Sequence, residues 1–233
     1  MSATVADNKN VKAYAFLRSI PIFAALTDHQ LDNLIRIIEE KKFSKNSVIL
    51  WEEDTQKYMY IISSGKVKVI QTTEDGKEQI LAIHKKGEYF GEMALLDGKT
   101  APATVIAMED SVIKLISRES FEKFLLQNEK VRNQLIHMLC QRLRESWLML
   151  KVLTFSTAEQ RVRAVLEQLS RLNGVRDDRG IIITLKLMHK DIANYANVSR
   201  ETVTRLLNRF SKEREIEILD NKHILLKQQF AVR

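Results

Sequence analysis

The sequence predicts an α+β protein in which a β-sandwich or barrel precedes a long helix and a C-terminal winged helix-turn-helix. Three observations carry this prediction. Short β-rich runs fill residues 43 to 118, an apolar seam in steps of three and four runs from Ile136 to Leu153, and the order after Phe155 is helix, strand, two short helices and hairpin. With 233 residues and 45% hydrophobic content, the chain can build cores for two ordinary domains.

The first residues, MSATVADNKN, lack the charged-then-apolar order of a signal peptide, and no apolar run reaches the length of a membrane span. A cytoplasmic location without a membrane partner is expected. In "LRSIPIFAALTDHQLDNLIRIIEE", Leu31, Leu34, Ile35 and Ile38 fall at helical spacing after Thr27 and Asp28, which can cap a helix. These short helices are expected to pack on the β-rich region.

Beyond residue 43 the runs "SVILW", "YMYIISSG", "KVKVIQ", "QILAIH", "ATVIAM" and "SVIKLIS" read as strands. Gly65, Gly76, Gly87, Gly91 and Gly98 lie between them, where turns demand positive φ or close backbone approach. A long helix is predicted from about Ser120. Its residues Ile136, Leu139, Leu143, Ser146, Leu150 and Leu153 form a heptad seam suited to a second copy of the chain, giving a homodimer. A second stripe, Leu135, Met138 and Met149, lies beside the seam and can face the barrel. The domains so defined are 1–125, a barrel with N-terminal helices; 126–154, a dimerisation helix; and 155–233, the winged helix-turn-helix.

In that last domain, "STAEQRVRAVLEQLSRLNG" is an amphipathic helix with a cap at Ser156 or Thr157 and a stop at Gly174. "GIIITLKL" reads as a strand, and "IEILDNKHILLKQ" as two apolar runs around a turn. Between them, Ile192, Ala193, Ala196, Val198, Val203 and Leu206 supply the contacts of two short helices crossing at a tight turn. Asn197 sits at the turn because asparagine tolerates left-handed backbone, and Ser199 can cap the second helix.

Residues 155–233 hold 15 Lys+Arg against 10 Asp+Glu, a net +5 out of the +7 of the whole chain. An anionic partner is therefore expected at this end. Arg200, Glu201, Thr202, Thr204 and Arg205 occupy the first turns of the second helix, the part that reaches base edges in a major groove. Arginine matches guanine O6 and N7, glutamate accepts from cytosine N4, and a threonine methyl meets the thymine methyl. Lys190, Arg209 and Lys212 are expected on phosphates, which give register rather than sequence information. Double-stranded DNA is the partner these residues imply.

With the motifs "GEYFGEMALLDG", the long helix and "VSRETVTRLL" together, the chain resembles the CRP/FNR superfamily of bacterial transcription factors over nearly its whole length. The resemblance implies a cyclic-nucleotide-binding-type β-barrel (jelly roll), a homodimer on a two-fold operator, and contact with RNA polymerase. Arg200, Glu201 and Arg205 match the family's Arg-Glu-x-x-x-Arg pattern, which implies a TGTGA-type half-site. Departures are Asn46, Glu53 and Arg214, which stand where relatives often place turn glycines.

The resemblance also places an effector pocket at Gly91 and Glu92, where Glu92 would hold a ribose hydroxyl. The Arg-Ser pair that clamps a cyclic phosphate in relatives aligns with Ala101 and Pro102. Lys99, two residues before the missing arginine, can replace it only in part, because lysine is a point charge and its position would need the loop to fold differently. Cyclic AMP is therefore disfavoured, and the effector is expected to be a different small molecule. Ser146 and Trp147 stand where relatives place small hydroxyl residues facing the adenine, and the Trp147 indole can fill a pocket or pack in an interface.

Two further readings accompany this one: a regulator active without ligand, and a cyclic-AMP-dependent one. An enzyme is not expected, because no paired carboxylates, nucleophile–base arrangement or metal-ligand cluster accompanies Glu92. The lone Cys140 excludes an iron–sulfur cluster. Haem is not supported, since His84, His137 and Cys140 read as structural residues; no metal site is expected.

Overall fold

The computed structural model describes residues 11 and 13–230, apart from 56, 75, 156 and 221. Its chain divides into two compact units, Met1–Gln71 with Leu81–Arg142, and Thr72–Ile80 with Leu143–Arg233.

The first unit is built on two four-stranded antiparallel sheets. One has the order β1 (Glu39–Phe43), β8 (Ser111–Ser117), β3 (Tyr58–Ser64), β6 (Tyr89–Phe90); the other has the order β2 (Val48–Leu50), β7 (Thr104–Ala107), β4 (Lys66–Thr72), β5 (Glu78–Lys85). The six runs read as strands are all strands. Strand β1 follows helix α1 (Asp28–Ile37) so closely that the helical pattern had run across it. Thr27 and Gln30 form a capping box at the start of α1.

Side chains alternate across β3, and both faces are buried. Tyr60 and Ile62 join Leu50, Val105, Ile113 and Leu115 in one cluster, whereas Met59 and Ile61 join Leu31, Leu34, Phe121 and Leu135 in another. The second cluster is where the N-terminal helical segments pack, as expected from their apolar spacing. Gly65, with φ of 90°, is the tightest turn: a Cβ there would stand 2.2 Å from Ser111 Oγ. Asn46 and Glu53 both adopt φ of 66°, so these turns keep left-handed geometry without glycine.

The long helix does not start at Ser120. A short helix α3 (Arg118–Ser120) runs into a π-helical turn, Phe121–Leu125, and the long helix α4 spans Glu129–Leu153. The physical cause is Asn128, whose Oδ1 accepts from Lys130 N at 3.0 Å and Val131 N at 3.3 Å and so opens a new helix. Helix α2 (Glu92–Asp97) lies between β6 and β7 and has left-handed glycines at both ends, Gly91 with φ of 85° and Gly98 with φ of 73°.

The second unit contains α5 (Ala158–Asn173), α6 (His189–Ala196) and α7 (Arg200–Lys212), with a sheet of order β11 (Ile216–Ile218), β12 (Ile224–Lys227), β10 (Gly180–Ile183), β9 (Gly174–Asp177). Thr157 caps α5 in a capping box with Gln160; the alternative, Ser156, lies outside the described residues. Gly174 does end α5, but with φ of −92° rather than a left-handed cap. Its need for glycine is space, because a Cβ would meet Ser170 O at 2.0 Å.

Arg163 is the largest fully buried side chain of the chain's described residues, at 2% exposure. Its guanidinium carbon lies 4.1 Å from the Phe210 ring centre, Nη2 is 2.6 Å from Glu215, and Nε donates to Glu159 Oε1 at 3.1 Å. A buried charge survives only when paired and stacked in this way. The cluster ties α5 to the C-terminal end of α7 and to the chain entering the wing. Arg214, just before it, takes φ of 58°.

Candidate nucleic-acid interface and barrel pocket

Helices α6 and α7 meet at a turn built by three residues. Asn197 adopts φ of 49° and ψ of 57°, its N–H and that of Val198 both donate to Ala193 O, and Ile192, Ala193, Ala196 and Val203 are buried beneath. Ser199 is the N-cap of α7, accepting from Thr202 N at 3.1 Å, with its hydroxyl 3.0 Å from that of Thr202. The cap fixes where α7 begins and thus which residues occupy its first turns.

Val203, Leu206, Leu207 and Phe210 turn into the core, which leaves the opposite face to solvent. Arg200, Glu201, Thr204, Arg205, Asn208 and Lys212 line one open groove on that face. The anticipated reading residues are therefore brought together, except Thr202, whose hydroxyl is turned to the Ser199 cap. Asn208 was not anticipated; it shares the face with Thr204 by the i, i+4 relation.

Thr204 is held from two sides. Its hydroxyl donates to Arg200 O at 3.0 Å and lies 2.8 Å from His189 Nδ1. The single hydroxyl proton is thereby used, so His189 donates from Nδ1. His189 was also missed, since nothing local relates residue 189 to residue 204.

The expected phosphate contacts differ among themselves. Lys212 is exposed on the groove. The Lys190 side chain is 59% exposed. Arg209 also lines the groove, 45% exposed, and is paired within the protein: Nη2 is 2.5 Å from Glu159 Oε2 and Nε 3.7 Å from Glu213. The Arg209 hydrogen bond, followed by that of Arg163, holds the Glu159 carboxyl below the usual carboxylate range against the opposing effect of burial.

In the barrel unit, Glu92 is wholly buried. Its Oε1 accepts from Arg142 Nη1 at 2.6 Å, and Arg142 Nη2 donates to Tyr89 O. Glu92 Oε2 is buried with no hydrogen-bond partner among the described residues. Burial, reinforced by the Glu92 charge, pushes the Tyr89 hydroxyl up to about 12, with Arg142 opposing. Arg142 was not anticipated, although it sits four residues after Met138 in the stripe read as facing the barrel. A cation interrupting an apolar stripe was the available signal.

Ala101 is buried in the barrel cluster, its N–H donating to Asp54 O and its carbonyl accepting from Glu53 N. Pro102 O accepts from Gln71 Nε2 at 3.2 Å. The Ala101 methyl is thus part of the apolar cluster of the barrel. Ser146 and Trp147 are exposed on the part of α4 that belongs to the second unit, Trp147 at 61%. His84 is held within the barrel unit: its ring stacks on Phe90 and Nδ1 is 2.9 Å from Glu88. Among the described residues no three His, Cys, Asp or Glu side chains are grouped to hold a metal ion, and no helix is long and apolar enough to cross a membrane.

A sensory-type barrel, a long helix and a winged helix-turn-helix with a polar, cationic groove define a DNA-binding regulator. Residues 40–128 match the cyclic nucleotide-binding domain family and residues 160–229 the Crp-like helix-turn-helix domain family. The chain is 30% identical to the cyclic AMP receptor protein of Thermus thermophilus over 84% of its length and 88% of the relative's. It is also 30% identical to the fumarate and nitrate reduction regulatory protein of Escherichia coli, over 89% and 82%. Among solved structures, FixK2 of Bradyrhizobium japonicum superposes with a TM-score of 0.73 at 25% identity, covering 83% of this chain and 94% of that one. The chain belongs to the CRP/FNR family of transcription regulators.

Proposed function

We propose that the protein is a homodimeric regulator that works in the cytoplasm and reads a TGTGA-type palindrome, with Arg200 and Arg205 on guanines and Glu201 on a cytosine. The observation that carries this reading is the single groove on α7 that holds all three side chains beside Thr204, above a buried apolar face. Homodimerisation is supported by the seam of α4, where Ile136, Leu143 and Leu150 are all more than half exposed in the single chain. A leucine buried there contributes about 1.5–3 kcal/mol. Two half-sites about 34–36 Å apart suit such a dimer, and the family relationship supports contact with RNA polymerase.

The barrel's effector is, in this reading, a small molecule other than cyclic AMP in its usual pose. Support comes from Ala101 packed where a phosphate clamp would stand, and from Glu92 Oε2, a buried acceptor that suits a ligand hydroxyl or amine. The Glu92–Arg142 pair favours a second reading, a regulator active without ligand, because Arg142 already satisfies one carboxylate oxygen.

Fluorescence anisotropy with a TGTGA-type palindrome and a scrambled duplex, at fixed salt and with or without cyclic AMP, tests both. Specific binding without nucleotide is expected. Equal affinity for the two duplexes overturns the operator assignment, and binding only with cyclic AMP overturns the assignment of the pocket. Thermal shifts across a metabolite panel separate the effector-bound reading from the ligand-free one, since a ligand of the folded state raises its melting temperature.

A further inference from the structure

Helix geometry turns each residue by 100° and advances it 1.5 Å. Asn208 therefore points within about 20° of Glu201, about 10 Å further along α7, and lies about 4.5 Å beyond Arg205. It is exposed at the middle of the groove, between Thr204 and Lys212. Two neighbouring polar groups are already engaged: the Thr204 hydroxyl by His189 and Arg200 O, and the Arg209 guanidinium by Glu159 and Glu213. The Asn208 amide offers a donor and an acceptor on one short, stiff stem.

We propose that Asn208 is a further base-reading residue, recognising adenine at the base pair next to the one met by Arg205, on the side away from Arg200. Its Nδ2–H donates to adenine N7 and its Oδ1 accepts from the N6 amine, a two-bond match that no other base edge in the major groove offers. The 4.5 Å advance beyond Arg205 corresponds to about one base step of 3.4 Å. The stem is too short for a flexible phosphate contact of the kind Lys212 can make. This inference rests on the proposed placement of α7 in the major groove.

The test is a binding-site selection with the full chain and with Asn208→Ala, followed by anisotropy on duplexes carrying 7-deazaadenine, which keeps the N6 amine and lacks the N7 acceptor. The wild type is expected to select adenine at that position, the A that closes TGTGA, by about tenfold over other bases. Asn208→Ala is expected to flatten that position while leaving the preference for the two guanines of the half-site intact, and 7-deazaadenine to weaken the wild type but not the variant. A variant that binds every sequence less tightly, with its salt slope reduced by about one, would make Asn208 a phosphate contact and overturn the proposal. A selected half-site whose adenine position is indifferent to Asn208→Ala also overturns it. If the wild type selects no core at all, the placement of α7 fails, and this reading fails with it.

Discussion

Removing Arg142 should destabilise the barrel unit by about 2–3 kcal/mol. The guanidinium makes one charge-assisted bond to the wholly buried Glu92 carboxylate and one bond to Tyr89 O. The first is worth about 1.5–3 kcal/mol and the second about 1 kcal/mol. Freeing a long side chain returns up to about 2 kcal/mol of rotamer entropy. A fully buried pair broken on one side costs about 3–5 kcal/mol, but the Arg142 side chain is 27% exposed. Water can thus reach part of the vacated space, and the lower figure applies. Glu92→Gln keeps the shape and an acceptor, and should cost about 1 kcal/mol. The assay is urea unfolding followed by circular dichroism at fixed chain concentration, for wild type, Arg142→Ala, Glu92→Gln and the double variant, with m-values compared to confirm a shared transition. A coupling energy of about 1.5 kcal/mol or more is expected. An additive cycle, with Arg142→Ala within about 0.5 kcal/mol of wild type, would refute the reasoning.

Leu143→Glu combined with Leu150→Glu puts charge at two exposed seam positions, and sedimentation at micromolar concentration should find monomers; an unchanged dimer would place the interface elsewhere. Ser199→Ala removes the N-cap bond to Thr202 N and should cost about 1 kcal/mol in unfolding free energy, together with weaker operator binding as the first turn of α7 frays; unchanged stability would contradict the cap. Tyr89 carries a raised hydroxyl pKa, so the unfolded chain releases this proton first. Stability is full below about pH 10 and falls as pH rises towards 12. Tyr89→Phe should show a shallower alkaline decline, and parallel curves would remove Tyr89 as the cause.

Local features were legible because they depend on near neighbours. The β-rich run "YMYIISSG", the left-handed tolerance of Asn197, and the apolar positions under α7 each involve residues within a few places of one another, and the structure realises all three. The positive φ at Asn46, Glu53 and Arg214 shows that these turns hold their geometry with other residues in place of glycine. Asn128 is a partial case: its capping bond ends one helical segment and starts another, yet the apolar pattern runs on through the break.

The barrel site was only half legible. Glu92 was marked by its motif, but its partner Arg142 lies 50 residues on and belongs to a helix. Arg163 reads as one more surface charge on an amphipathic helix; only the approach of Phe210, Glu215 and Glu159 makes its burial tolerable. Arg209 reads as a lone cation until Glu159 is brought to it, and Thr204 as a free hydroxyl until His189 is. The sequence by itself determined most of the strands and helices, though not β1, β6, β9 or α2, and the apolar face of the longer ones, because periodicity and capping act over one or two turns. The tertiary structure alone decided which charges are buried and which polar groups are already engaged, because desolvation and pairing depend on groups that only folding brings within hydrogen-bond distance.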